Sequence, residues 1–178
     1  MAQDEARFGL ISWHKRRYCP KGIRPPCVQR HEYKWTWLYA AVEPMTGEQF
    51  CLYLTNLDSI CFEVFLEELS KQYPDDLMIL VLDNAPAHKK ADLAIPNNII
   101  LLNLPPYSPQ LNPAERWFME FRRELANQLF DSIEAIHQAL SDLLQQFSQD
   151  KERLQLLTNF PWWWFAITQL NYDLSQSG

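Results

Sequence analysis

Leu77-Met78-Ile79-Leu80-Val81-Leu82 is an uninterrupted apolar run that stops at Asp83-Asn84-Ala85-Pro86-Ala87-His88. Apolar residues without alternation, bounded by polar and proline signals, predict a strand buried on both faces, as parallel strands with helical cover are. A carboxylate just past such a strand sits at the rim of the sheet, where open α/β sheets collect their ligands. Further on, Leu104-Pro105-Pro106-Tyr107-Ser108-Pro109-Gln110-Leu111-Asn112-Pro113-Ala114-Glu115 leads into a helical pattern. Glu115 therefore enters on the first turn of a helix, behind a rigid proline-rich loop. Two acids delivered from separate rigid elements are what a metal site requires.

The rest of the chain supplies the other layers. Phe8 to Trp13 continues an extended segment that begins near Asp4-Glu5, and residues 14–32, with Pro20, Gly22, Pro25 and Pro26, read as a loop or irregular hairpin. Tyr33 to Val42 and Glu48 to Leu54, separated by a Glu43–Gly47 turn, read as an antiparallel hairpin. Asp58-Ser59 caps a helix to about Tyr73, with Ile60, Phe62, Val64, Phe65 and Leu69 as its apolar stripe. A short helix near His88–Leu93 and a strand over Asn98–Leu102 follow. Asn112-Pro113 then starts a helix as cap and first residue, carrying Trp117, Phe118, Phe121, Leu125 and Leu129. Another helix spans about Ser132 to Gln149. Antiparallel strands first and parallel strands later, with helices between, predict an α/β fold, a mixed ribonuclease-H-like sheet flanked by helices. Residues 1–150 form this domain, and 151–178 are a C-terminal aromatic tail packed on it. Its Trp162-Trp163-Trp164 cluster is read as a core plug before a base-stacking platform.

A chain of 178 residues is most simply one domain. No apolar run approaches the roughly 18 residues of a membrane span, and no signal peptide is visible, so a cytoplasmic protein is expected. The net charge of -6 conceals a split. Residues 1–34 hold eight cations (Arg7, Lys15, Arg16, Arg17, Lys21, Arg24, Arg30 and Lys34) against Asp4, Glu5 and Glu32, hence +5, leaving -11 for the remainder. A basic segment on an acidic body is compatible with local phosphate contact or with a solvated charged loop. Four cysteines without CxxC pairing read as free thiols; His14, Cys19, Cys27 and His31 match no common zinc spacing.

Each acid has two readings. Asp83 is a catalytic carboxylate or an Asx-turn residue after a strand, and Glu115 is catalytic or complements a helix dipole. Asp4 and Glu5 lie on opposite pleat faces, so one alone points at Asp83, the other being its substitute. Asn84 and His88 orient a phosphate or water, or serve as structural hydrogen-bonding groups. Lys89, Lys90, Arg116, Arg122 and Arg123 are candidate phosphate contacts, with Arg116 and Arg123 sharing a helix face.

Asp4-Glu5 beside Arg7-Phe8, Val81-Leu82-Asp83-Asn84-Ala85-Pro86-Ala87-His88, and the Leu104–Glu115 block together resemble the three catalytic blocks of bacterial insertion-sequence transposases of the Tc/mariner-related branch. The resemblance runs from about residue 2 to 130. It implies a ribonuclease-H-like fold and a DDE triad of Asp4, Asp83 and Glu115 that holds two Mg2+ ions, with Mn2+ as substitute. Water frees a DNA end whose 3′-hydroxyl then attacks target DNA, so the implied partners are element ends, target DNA and further copies of the chain. The setting is the bacterial cytoplasm, at the nucleoid. The 31 residues between Asp83 and Glu115 are slightly fewer than usual in that branch. The branch also carries an N-terminal helix-turn-helix; with nothing before Met1, the chain is expected to be a catalytic half, that segment being supplied separately. The rival expectations are an inactive remnant that binds DNA or a partner, and a cellular nuclease with the same sheet.

Overall fold

A computed structural model describes residues 1–16, 18–23 and 30–176, with side chains through residue 169. Five strands form one sheet in the order β3-β2-β1-β4-β5: β1 is Ala2–Gly9, β2 Trp35–Val42, β3 Gln49–Leu54, β4 Met78–Leu82 and β5 Ile99–Asn103. The pairs β1–β2 and β2–β3 are antiparallel, whereas β1–β4 and β4–β5 are parallel. The apolar run thus lies between two strands, as its lack of alternation requires. Ala2 pairs with Val81, so two residues further along both strands Asp4 and Asp83 arrive side by side at one end of the sheet.

Each face of the sheet has its own apolar core. On one, Tyr39, Ala41, Leu80 and Leu82 pack against Phe62, Phe65, Leu66 and Leu69 of α1 (Ser59–Gln72). Asp58 caps that helix as expected, accepting from Cys61 N at 2.8 Å. The expected stripe is corrected at two positions: Ile60 and Val64 are 68% and 41% exposed, and Cys61 and Leu66 are buried in their place. The sheet covers a narrower arc of the helix than the apolar residues span.

On the other face, Ala2, Ala6, Phe8, Leu38 and Ala40 pack against Trp117, Phe118 and Phe121 of α2 (Pro113–Leu125), with Ile136, Leu140 and Phe147 of α3 (Ile133–Gln149) behind them. The helix expected near His88–Leu93 is a single 3-10 turn, Pro86–His88. Leu129 lies beyond α2 and is 47% exposed.

The C-terminal segment forms two helices, α4 (Lys151–Thr158) and α5 (Pro161–Gln176). Their start signals are ordinary ones, Asp150 accepting from Arg153 N and a proline opening α5. Leu154, Phe160 and Trp163 join the α2 core, whereas Trp164 and Phe165 are exposed. Gln155 Nε2 donates to Met45 O, and Trp163 Nε1 to Glu43 Oε1, tying this segment to the β2–β3 turn. That turn needs Gly47: its φ is +72°, and a Cβ there would stand 2.7 Å from Lys151 O.

Candidate active site

Alternation along β1 sends Asp4 and Glu5 to opposite faces of the sheet. Asp4 shares the α2 face with Ala2, Ala6 and Phe8. What brings Glu115 to it is the capping residue of α2. Asn112 is 2% exposed; its Oδ1 accepts from Ala114 N at 3.1 Å, and its Nδ2 donates to Gln3 O at 2.8 Å. One side chain therefore starts the helix and pins that start to the strand, one residue before Asp4. The proline-rich route to this point is fixed as well: Asn84 Nδ2 donates to Leu104 O at 2.5 Å, and Leu104 N donates to Leu82 O at 2.8 Å. Asn84 is thus a clamp between the two parallel-strand exits.

The electrostatics at Asp4 follow from this convergence. Burial, then the charges of Glu115, Glu5 and Asp83, push the Asp4 carboxyl well above the usual carboxylate range, against one opposing hydrogen bond from Glu5 N at 2.8 Å. Glu115 and Asp83 thus lie near enough to Asp4 for their charges to act on it. Among the described residues no three His, Cys, Asp or Glu side chains stand close enough to enclose a metal ion as they are. Asp83 and Glu115 retain 52% and 37% side-chain exposure, so both remain open to solvent. Carboxylates are hard oxygen donors of the kind that suits a divalent cation such as Mg2+.

Glu5, on the opposite face, meets a cation already in place. His88 Nε2 donates to Glu5 Oε1 at 2.9 Å, and its Nδ1 lies 3.1 Å from Asp83 Oδ1. Burial opposes the imidazolium, yet the hydrogen bonds to Asp83 and Glu5 hold its pKa up at about 9. His88 in turn draws the Asp83 carboxyl below its ordinary value, against a burial effect that raises it. Asp83 also makes the Asx turn expected of an Asp after a strand, its Oδ1 accepting from Ala85 N at 2.8 Å. Gln3 Nε2 donates to Glu5 Oε1 at 2.7 Å, and Phe62 packs on the imidazole with ring centroids 4.3 Å apart.

The expected phosphate contacts divide. Lys89 is exposed and lines a groove of about 420 Å³ with Asp83, Asn84 and residues 104–109. In that groove Tyr107 is fully exposed at φ +57°, a left-handed conformation uncommon for an aromatic residue. Lys15, Arg16 and Lys21 are exposed on the long β1–β2 connection, and Lys15 N donates to Asn127 Oδ1 beyond the end of α2. Arg17 and Arg24 lie outside the described residues. Lys90 pairs with Glu63 and Asp92, Arg123 with Glu120 and Glu124, and the Arg116 guanidinium sits 4.2 Å from the Phe160 ring centre. The structure does not bring these three to the acids. The cation it does bring is Arg122, whose Nη1 is 3.6 Å from Glu115 Oε2. Cys19 Sγ donates to Ile23 O at 3.0 Å, and Cys27 lies outside the described residues.

Residues 1–137 match the family described as DDE superfamily endonuclease. The uncharacterized protein y4pE/y4sA of Sinorhizobium fredii is 34% identical over 105 residues, 57% of this chain and 77% of that protein. Among solved structures, the Mos1 transposase paired-end complex with left transposon end is similar in fold: TM-score 0.68 at 22% identity, over 89% of this chain and 50% of that one. The mariner Mos1 paired-end complex with Mg gives 0.63 at 20% identity over the same shares. This chain therefore spans about half the length of those transposase chains, and its sheet is ribonuclease-H-like, as the strand order led us to expect. No helix among the described residues is long and apolar enough to cross a membrane.

Proposed function

Because this chain belongs to the DDE superfamily endonucleases, we propose that it is a transposase catalytic domain that cuts DNA strands and joins 3′ ends to target DNA with divalent metal ions. One observation carries the reading. Asp4, half-buried in the central strand, has its carboxyl pushed up by burial and by Glu115, Glu5 and Asp83. Such a cluster is costly alone and is relieved by a cation. Asp4, Asp83 and Glu115 would hold the ions. Mg2+ or Mn2+ held there would activate an attacking oxygen and stabilise a leaving oxygen.

The chain's own residues set up the rest. Asn112 and Asn84 fix the backbone from which the acids project, and the Glu5–His88 pair holds Asp83 from behind. Lys89 and the exposed Lys15, Arg16 and Lys21 attract the DNA backbone, with Arg17 and Arg24 assigned to the same role from sequence alone. In the first step, water adds to a phosphodiester phosphorus and one P–O bond breaks, leaving a 3′-hydroxyl and a 5′-phosphate. In the second, that hydroxyl exchanges one P–O bond for another in the target strand, so bond types balance without a covalent protein intermediate. We extend the proposal to a homo-oligomer assembled on element ends in the bacterial cytoplasm. Residues 1–150 are its catalytic unit, with 151–178 assigned from sequence as a tail on the same domain.

Supercoiled plasmid nicking in Mg2+ or Mn2+, with wild type beside Asp83→Asn, tests this. The expected result is metal-dependent nicking lost in the variant, and labelled DNA ends joined to plasmid. Nicking without joining would indicate a nuclease, and no metal response in either protein would indicate a non-catalytic binding chain.

A further inference from the structure

Arg122 stands seven residues after Glu115 on α2, and the 3.6-residue period puts both on one face. Long helical side chains lean toward the N-terminus, which carries the Arg122 guanidinium back over Glu115. Its surroundings are unusual in three respects. Nη1 lies 3.6 Å from Glu115 Oε2, close enough for attraction but beyond hydrogen-bonding distance. Nε is buried with no hydrogen-bond partner. The guanidinium carbon sits 5.5 Å from the centre of the Trp13 ring, and Trp13 itself is anchored, its carbonyl accepting from Asn127 N at 2.8 Å. The same arginine reaches the upper half of β1, lining a small cleft with Phe8, Gly9 and Leu10.

We propose that Arg122 is a stand-in cation: it neutralises Glu115 while the metal site is empty, is displaced from Glu115 when a divalent ion binds, and then takes a phosphate oxygen of the DNA strand. The inference rests on the metal-binding reading of Asp4, Asp83 and Glu115. The loose pair is what makes the exchange feasible, since a bidentate Arg–carboxylate contact at hydrogen-bond length would hold Glu115 away from the ion. The unpartnered Nε supplies the second half. A planar guanidinium with one free edge matches two phosphate oxygens, and rotation about the last side-chain bonds would turn that edge from the Trp13 ring toward the strand. Of the cations expected from sequence to serve this helix, Arg116 lies on Phe160 and Arg123 on Glu120 and Glu124, so Arg122 is the one left on the face of the acids. It is a positioning residue for Glu115 in one state and a DNA ligand in the other.

The two roles make opposite predictions for one substitution. In Mn2+ titrations of the whole chain, followed by the electron paramagnetic resonance of free Mn2+, Arg122→Gln removes the competitor and tightens binding about fivefold, the worth of one partly exposed ion pair. In fluorescence anisotropy with a short DNA duplex and Ca2+, the same variant binds several-fold more weakly, and the slope of log affinity against log salt flattens by about one. Arg122→Lys keeps the charge and stays within about twofold of wild type for Mn2+, which separates charge from loss of packing. A merely structural arginine would weaken both ligands or neither. Unchanged or weakened Mn2+ binding by Arg122→Gln, in a wild type that binds Mn2+, overturns this inference alone. A wild type that takes up no Mn2+ overturns the metal reading and this inference with it.

Discussion

Asp4 and Glu5 leave the same strand on opposite faces, and each meets ionisable partners from distant parts of the chain. Around Asp4 the partners are Glu115 and Asp83, all of one sign, and the carboxyl is pushed up. Around Glu5 the partner is His88, which also touches Asp83, and here charge is matched by charge at 2.9 Å. The Glu5 side is complete as it stands and contributes stability. The Asp4 side gathers like charges at a cost in stability, and under the proposed function it is the side a divalent cation would complete. Asp83 belongs to both, one edge of it held by the supporting network and the rest half exposed.

Breaking the Glu5 side should have the largest effect. Glu5→Ala leaves the buried His88 with one carboxylate in place of two, and urea unfolding at pH 7 should show a loss of about 3 kcal/mol. A loss of comparable size comes from pH. His88 has a folded pKa of about 9 against 6.5 ordinarily, so its contribution is fully present below 6.5 and fades as pH rises toward 9. Melting of metal-free protein should fall across that window in wild type and flatten there in His88→Gln. The Asp4 side should respond in the opposite direction. A carboxyl raised by burial and like charges destabilises the fold once ionised, so Asp4→Asn should raise the metal-free melting temperature by about 3 °C while abolishing any further rise with Mg2+. If Asp4→Asn instead lowers it as Glu5→Ala does, the two sides are not distinct.

Much of this arrangement was legible in the sequence where a local rule carries the information. Leu77–Leu82 marked both a strand covered on its two faces and the rim position of Asp83, and Asn112-Pro113 marked where Glu115 enters its helix. Pleat alternation said that Asp4 and Glu5 could not share a task. What it could not say was which of them faces Glu115, because that depends on the sheet face α2 occupies, and the deciding bond, Asn112 to Gln3, joins residues 109 apart. The role of His88 was hidden for the same reason, its partner Glu5 lying 83 residues away. Arg116 and Arg123 do share a face, but that face turns to the C-terminal helices, and the seven-residue step from Glu115 singles out Arg122. Ile60 and Val64 were misplaced because periodicity marks an apolar arc without showing how much of it the sheet covers. Helices α4 and α5 had readable caps at Asp150 and Pro161, masked by the aromatic character of the segment.

The claim at the centre is that the Asp4 face, and not the Glu5 face, takes the metal. Calorimetric titration with Mn2+ tests it directly. Wild type and Glu5→Gln should each bind two ions, whereas Asp4→Asn, Asp83→Asn and Glu115→Gln should each lose at least one. Full Mn2+ binding by Asp4→Asn, or loss in Glu5→Gln as great as in Asp4→Asn, would contradict the account.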